Sequence, residues 1–137
     1  MATRSRIAIE HKDGIVDSIY CHWDGYPEGN GVILREHYQD RKKVEDLIGL
    51  GSLSYLQAEV HPTGPHSFEK PQTGVTVAYH RDRGEPKCSR AEGQFLSREE
   101  FLLSDVDDYG YLFTKENEWV YVAYNDRTPK KCADINA

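Results

Sequence analysis

Two His-x-Asp pairs, His22/Asp24 in "YCHWDGYPEGNG" and His80/Asp82 in "YHRDRGE", are the residues of this chain whose types and spacing most suit chemistry. A carboxylate beside an imidazole raises the basicity of the ring, which serves general acid–base catalysis or the support of a metal ligand. Brought together, the four groups would suffice to hydrolyse a phosphoester. The same pairs also serve as ordinary surface hydrogen bonding near turns, and at the level of sequence both readings stand.

The segment after the first pair, "DGYPEGNG", runs into an apolar stretch and offers a second chemistry. Backbone N–H groups at a helix start favour phosphate, and Gly25, Gly29 and Gly31 would permit its close approach. The segment lacks the Lys-Ser/Thr of a P-loop, and its competing reading is a turn in which Asn30 caps the helix. Arg81 and Arg83, with Lys87 beyond them, could supply bidentate contacts to the same anion, although Asp82 and Glu85 partly neutralise that cluster. Among Trp23, Tyr26, Tyr55 and Tyr79, only Tyr26 lies in a polar loop where no core position is forced, so it is the aromatic expected to face a ligand. His37 is expected in the core. His11, His61 and His66 fall in turns with no evident constellation, and Cys88, beside Lys87 and Arg90, has no histidine fixed next to it and is discounted as a nucleophile.

The elements that must position these groups follow from hydrophobic period. "RSRIAIE" alternates, Asp13-Gly14 favours a tight turn, and residues 15–23 return as a strand with Ile15, Ile19, Cys21 and Trp23 on one face and Tyr20, His22 and Asp24 on the other. Residues 32–48 carry apolar residues at helical spacing, broken once, and Gly49 and Gly51 end the run. Residues 75–82 alternate as a strand with Thr76, Ala78, His80 and Asp82 sharing a face. Ser97 and Glu100 stand in capping-box positions before a short helix, and "YGYLFT" and "EWVYVAY" make a hairpin around "KENE". The fold expected is α+β: an antiparallel sheet of about five strands, with two or three short helices packed on one face. One domain is expected over 1–137, with irregular loops at about 57–74 and 83–96 and a loose tail at about 126–137.

Seventeen Lys and Arg against 23 Asp and Glu give a formal net charge of −6, which leaves no electrostatic footprint for duplex nucleic acid. There is no apolar run for a membrane span and no signal-peptide pattern at the start, so a cytoplasmic protein without a membrane partner is expected. Three cysteines, with no CxxC, argue against a disulfide framework or zinc knuckle. No cofactor is implied, and assembly with copies of itself is left open.

The stretches "RSRIAIE", "IYCHWDGYPEGNGVIL", "LIGLGSLSYL" and "YHRDRGE" resemble a family of small, uncharacterised proteins of tailed phages and some bacteria, over roughly residues 4–56 and 75–85. The resemblance implies a phage-encoded protein acting inside an infected bacterial host and brings no catalytic residues with it. Phages use such proteins to redirect or disarm the host, so the leading expectation is a binder that sequesters a phosphorylated, nucleotide-type immune signal. Its ligand-binding residues would be His22, Asp24, Gly25, Tyr26, Gly29, Asn30, Gly31, His80, Arg81 and Arg83. The alternatives are a metal- or His/Asp-dependent phosphoester hydrolase using His22, Asp24, His80 and Asp82, and an acidic protein inhibitor of a host enzyme.

Overall fold

The computed structural model describes residues 2–86 and 93–136. Strands β1 (Ser5–Glu10) and β2 (Val16–Cys21) form the expected antiparallel hairpin, in the register Ile9 opposite Asp17. Its turn has the predicted chemistry: Gly14 adopts φ 90°, and the Ile15 N–H donates to Asp13 Oδ1 at 3.0 Å. A one-turn π-helix (Pro27–Gly31) runs straight into α1 (Val32–His37). Helix α2 (Arg41–Gly49) follows, capped by Asp40, whose carboxylate accepts from the Lys43 N–H. Then come β3 (Leu53–Tyr55), β4 (Val77–Ala78), α3 (Tyr79–Arg83), β5 (Gly93–Phe95), α4 (Arg98–Leu103), β6 (Tyr109–Phe113), β7 (Trp119–Ala123) and β8 (Asp126–Lys131). Ser97 caps α4, accepting from the Glu100 N–H as its spacing predicts.

The class is α+β, but the sheet is larger than expected and mixed. Seven strands run in the order β4-β3-β2-β1-β6-β7-β8, and β5 pairs with the remaining length of β2. The β1–β6 and β2–β3 pairs are parallel. With one edge of β1 filled by β2, the other accepts β6, which returns after the α4 crossover. Nor do the helices share one face. Ile7, Ile9, Ile19, Tyr111 and Phe113 pack against Leu34, Tyr38, Val44 and Leu47 of the α1–α2 side. Ala8, Val16, Leu112 and Val122 on the reverse face pack against Phe101 and Leu102 of α4. Both faces of the central strands carry apolar residues, so both need a cover.

The segment expected to be a loose tail is tied down: β8 pairs with β7, and a 3₁₀ turn at Cys132–Asp134 carries Cys132 and Ile135 into the core. Arg35 Nη1 fastens it by donating to the Ile135 carbonyl at 2.8 Å. The long loop before β4 is irregular as expected, apart from a bridge between Glu59 and Val75. Among the described residues no helix is long and apolar enough to cross a membrane.

Candidate functional site

Strand β2 continues its hydrogen bonding past Cys21. The N–H groups of His22 and Trp23 donate to the carbonyls of Leu53 and Ser54, both at 3.0 Å. Alternation therefore holds through His22, whose ring stands beside Tyr20 on the face opposite Ile19 and Cys21, with Nδ1 2.7 Å from the Tyr20 hydroxyl. It does not hold beyond. Asp24 takes φ 59°, which ends the strand and leaves its carboxylate in solvent, within 3.5 Å of the Tyr26 hydroxyl. Trp23, expected to share the buried face with Cys21, is 43% exposed and sets its ring edge-on to His22 at 4.8 Å. The room beside Cys21 is taken by Asn30. His22 and Asp24 thus have different partners and form no dyad.

The anion cradle is closed by the protein itself. The Gly25 N–H donates to the Thr3 carbonyl, that of Gly29 to Tyr26 and that of Asn30 to Asp24, each at 2.9 Å. Asn30 does not cap a helix. Its side chain is wholly buried, and Nδ2 donates to Ser5 Oγ, Cys21 Sγ and the Trp23 carbonyl. The glycines serve packing: a Cβ on Gly25 would lie 2.9 Å from the Arg4 carbonyl carbon and oxygen, and one on Gly29 would lie 2.6 Å from the Asp24 carbonyl oxygen. A Cβ on Gly31 would meet Ile135 Cδ1 at 2.8 Å. Tyr26, by contrast, is 40% exposed.

The second His-x-Asp pair is not on a strand. Past the Glu59–Val75 bridge the strand is Val77–Ala78 alone, and Tyr79–Arg83 is helix α3, where residues two apart lie about 200° around the axis from each other. His80 is exposed, with Nδ1 2.7 Å from the Glu85 carbonyl. The Asp82 side chain is buried and accepts from the Ala78 N–H at 2.8 Å and from Arg81 Nε at 2.9 Å and Nη2 at 3.1 Å. His66 Nε2 lies 3.2 Å from Asp82 Oδ2, while His66 Nδ1 accepts the Gln72 N–H. Burial acts to raise the Asp82 pKa, but the bonds from Arg81, the Ala78 N–H and His66 outweigh it and hold the carboxyl below its ordinary value. Arg81 also donates to the carbonyls of Val60 at 2.6 Å and Thr76 at 2.7 Å, so its guanidinium is a staple between the long loop and α3. Arg83 stacks on Phe68 and Tyr79 and pairs with Glu85. β3 lies between β2 and β4, so the segment that follows β2 with the first pair and helix α3, which follows β4 with the second, are separated by a strand of the sheet. Lys87, Cys88 and Arg90 lie outside the described residues.

A different constellation is assembled where none was expected. His11 Nε2 lies 2.9 Å from Asp17 Oδ2, and Gln94 Nε2 of β5 donates to Asp17 Oδ1 at 3.1 Å. These groups rim a cleft of about 390 Å³ between α2 and the β1–β2–β5 sheet, floored by Ile9, Ile19 and Ile48 and bordered by Glu45. The signal was in the hairpin register: with Glu10 opposite Val16, the position after Glu10 is diagonal to Asp17 on the same face. His37, expected in the core, is exposed, and Tyr38 beside it is buried instead. Among the described residues no group of three or more His, Cys, Asp and Glu is arranged to hold a metal ion. Comparison of the chain with protein-family models, curated proteins and solved structures gives no match.

Proposed function

We propose that this chain is a small-ligand-binding protein that holds its ligand unchanged, in keeping with the sequestering role suggested by its phage-like motifs, and that the ligand sits in the cleft between α2 and the hairpin. One observation carries this: Asp17 is fixed through both oxygens, by His11 and by Gln94, at the rim of an aliphatic floor. A concave apolar surface with a few convergent, pre-positioned polar groups is the usual form of a small-molecule site. A nucleotide-type ligand fits such a cleft through its base and sugar. The hydrolase alternative is weaker, because His22 faces Tyr20 and Asp82 is committed to Arg81.

Mass spectrometry of compounds released by heat from protein purified out of infected cells tests the proposal, together with ¹H–¹⁵N NMR titration of nucleosides and nucleotides. The expected result is an intact released compound and shifts clustered at His11, Asp17, Glu45 and Gln94. An empty release with no shifted cleft resonance would defeat it. A second reading, docking to a host protein, is favoured by Trp23 and Tyr26, which stand 43% and 40% exposed beside Asp24. Recovery of one stoichiometric host protein, lost on Trp23→Ala and retained on Asp17→Asn, would support that reading over the first.

A further inference from the structure

Resting on the cleft as the ligand site, we infer that it accepts the hydrogen-bond-donating edge of a planar ring, an amidine or ring-amino group, and leaves any phosphate outside. The cleft offers acceptors. Among the described residues His11 engages one Asp17 oxygen and Gln94 the other, and a carboxylate oxygen has a second lone-pair site to offer. Glu45 adds a second carboxylate from α2. Among the described residues lining the cleft there is no lysine or arginine.

Among the described residues, several of the donors an anion would need are already engaged. The Ser18 hydroxyl donates to the Gly93 carbonyl at 3.1 Å, the Gln94 amide is turned onto Asp17, and the His11 backbone N–H donates to the Ile15 carbonyl. A phosphate entering here would meet like charge with little to bind it, whereas a ring carrying two N–H donors can lie over the half-buried Ile48, with Ile9 and Ile19 buried beneath, and fork onto Asp17. The selectivity therefore runs opposite to that of a phosphate cradle.

The test uses benzamidine and benzoate, rings of one shape and opposite charge, with adenosine and adenosine 5′-monophosphate beside them, titrated by NMR into the full chain. Benzamidine should bind at the cleft at least tenfold more tightly than benzoate, the discrimination expected of one charge-assisted hydrogen bond. Adenosine should bind no more weakly than its monophosphate. Asp17→Asn should remove at least tenfold of the benzamidine affinity. Glu45→Gln, on an exposed helix position, should weaken it without touching the fold and provides the check if the first variant is unstable. Benzoate or the monophosphate binding more tightly at these same resonances would overturn the inference and leave the cleft as a ligand site. Silence of the cleft towards all four probes, with nothing released on heating, would remove both.

Discussion

Replacing Arg81 by alanine separates a structural guanidinium from a ligand-binding one. Four hydrogen bonds are lost, two to Asp82 at 2.9 and 3.1 Å and two to the carbonyls of Val60 and Thr76 at 2.6 and 2.7 Å. Asp82 is left with the Ala78 N–H and the His66 contact, its side chain only 4% exposed. Breaking a buried ion pair from one side costs about 3–5 kcal/mol. Because Arg81 is 24% exposed, water recovers part of this, and about 2–4 kcal/mol is expected. For a chain of this size that lowers Tm by roughly 6–16 °C. Urea unfolding followed by tryptophan fluorescence reads the difference, with Arg83→Ala, an exposed and stacked arginine, expected to cost less than about 1 kcal/mol.

The pH dependence sharpens the test. The folded Asp82 pKa is depressed, so its contribution is complete above the unfolded pKa and is lost as pH falls through the folded value. The gap between parent and Arg81→Ala should therefore narrow in acid, and Asp82→Asn in the Arg81→Ala background should recover part of the loss. An Arg81→Ala protein within about 0.5 kcal/mol of the parent at neutral pH would refute the staple, since that is the range of an ordinary surface substitution.

Gly25→Ala should cost about 1–3 kcal/mol, because its Cβ would press on Arg4 backbone at 2.9 Å; a melting curve unchanged from the parent would show that the backbone gives way freely. Burial acts to raise the Glu10 pKa, but the hydrogen bonds from Arg98 and the Lys115 N–H carry it below its ordinary value. Glu10→Gln should therefore lower stability most at neutral pH and flatten the acid limb of the stability profile, and parallel limbs for variant and parent would contradict the pair. Burial pushes the Cys21 and Cys132 thiols up to about 12, so at pH 8 both stay protonated and unreactive. In a Cys88→Ser protein, alkylation should wait for urea, and labelling within minutes under native conditions would show that these side chains open to solvent.

The legible parts of the fold were those encoded locally. Ile7 and Ile9 alternating up to Asp13-Gly14, and Ser97 three residues before Glu100, state their own structure, and both are present. Residues 75–82 misled because their apolar positions alternate until Ala78 and then enter a helix of five residues, too short for a 3.6-residue period to register. The Asp82 carboxylate that receives the Ala78 N–H across that first turn reads, in sequence, as half of a His-x-Asp pair. The glycines of residues 25–31 carried an ambiguity of another kind, since close approach by a ligand and close approach by Arg4 or Ile135 select the same residue. His11 and Asp17 were missed because they flank a turn, and only the pairing register places them side by side.

The parallel alliance of β1 with β6 orders events during synthesis. Arg4 N–H bonds to Asp108, 104 residues further along the chain, and Ile7 lies beside Tyr111. While the intervening chain is being made, β1 and β2 can already pair, but the far edge of β1 stays open and Ile7 and Ile9 wait for Tyr111 and Phe113 to complete their shelter. Contacts this distant close slowly, since the loop entropy is lost before they form. A ribosome-bound chain halted before β6 would therefore display a sticky half-sheet, and the emergence of β6 is the step that seals it.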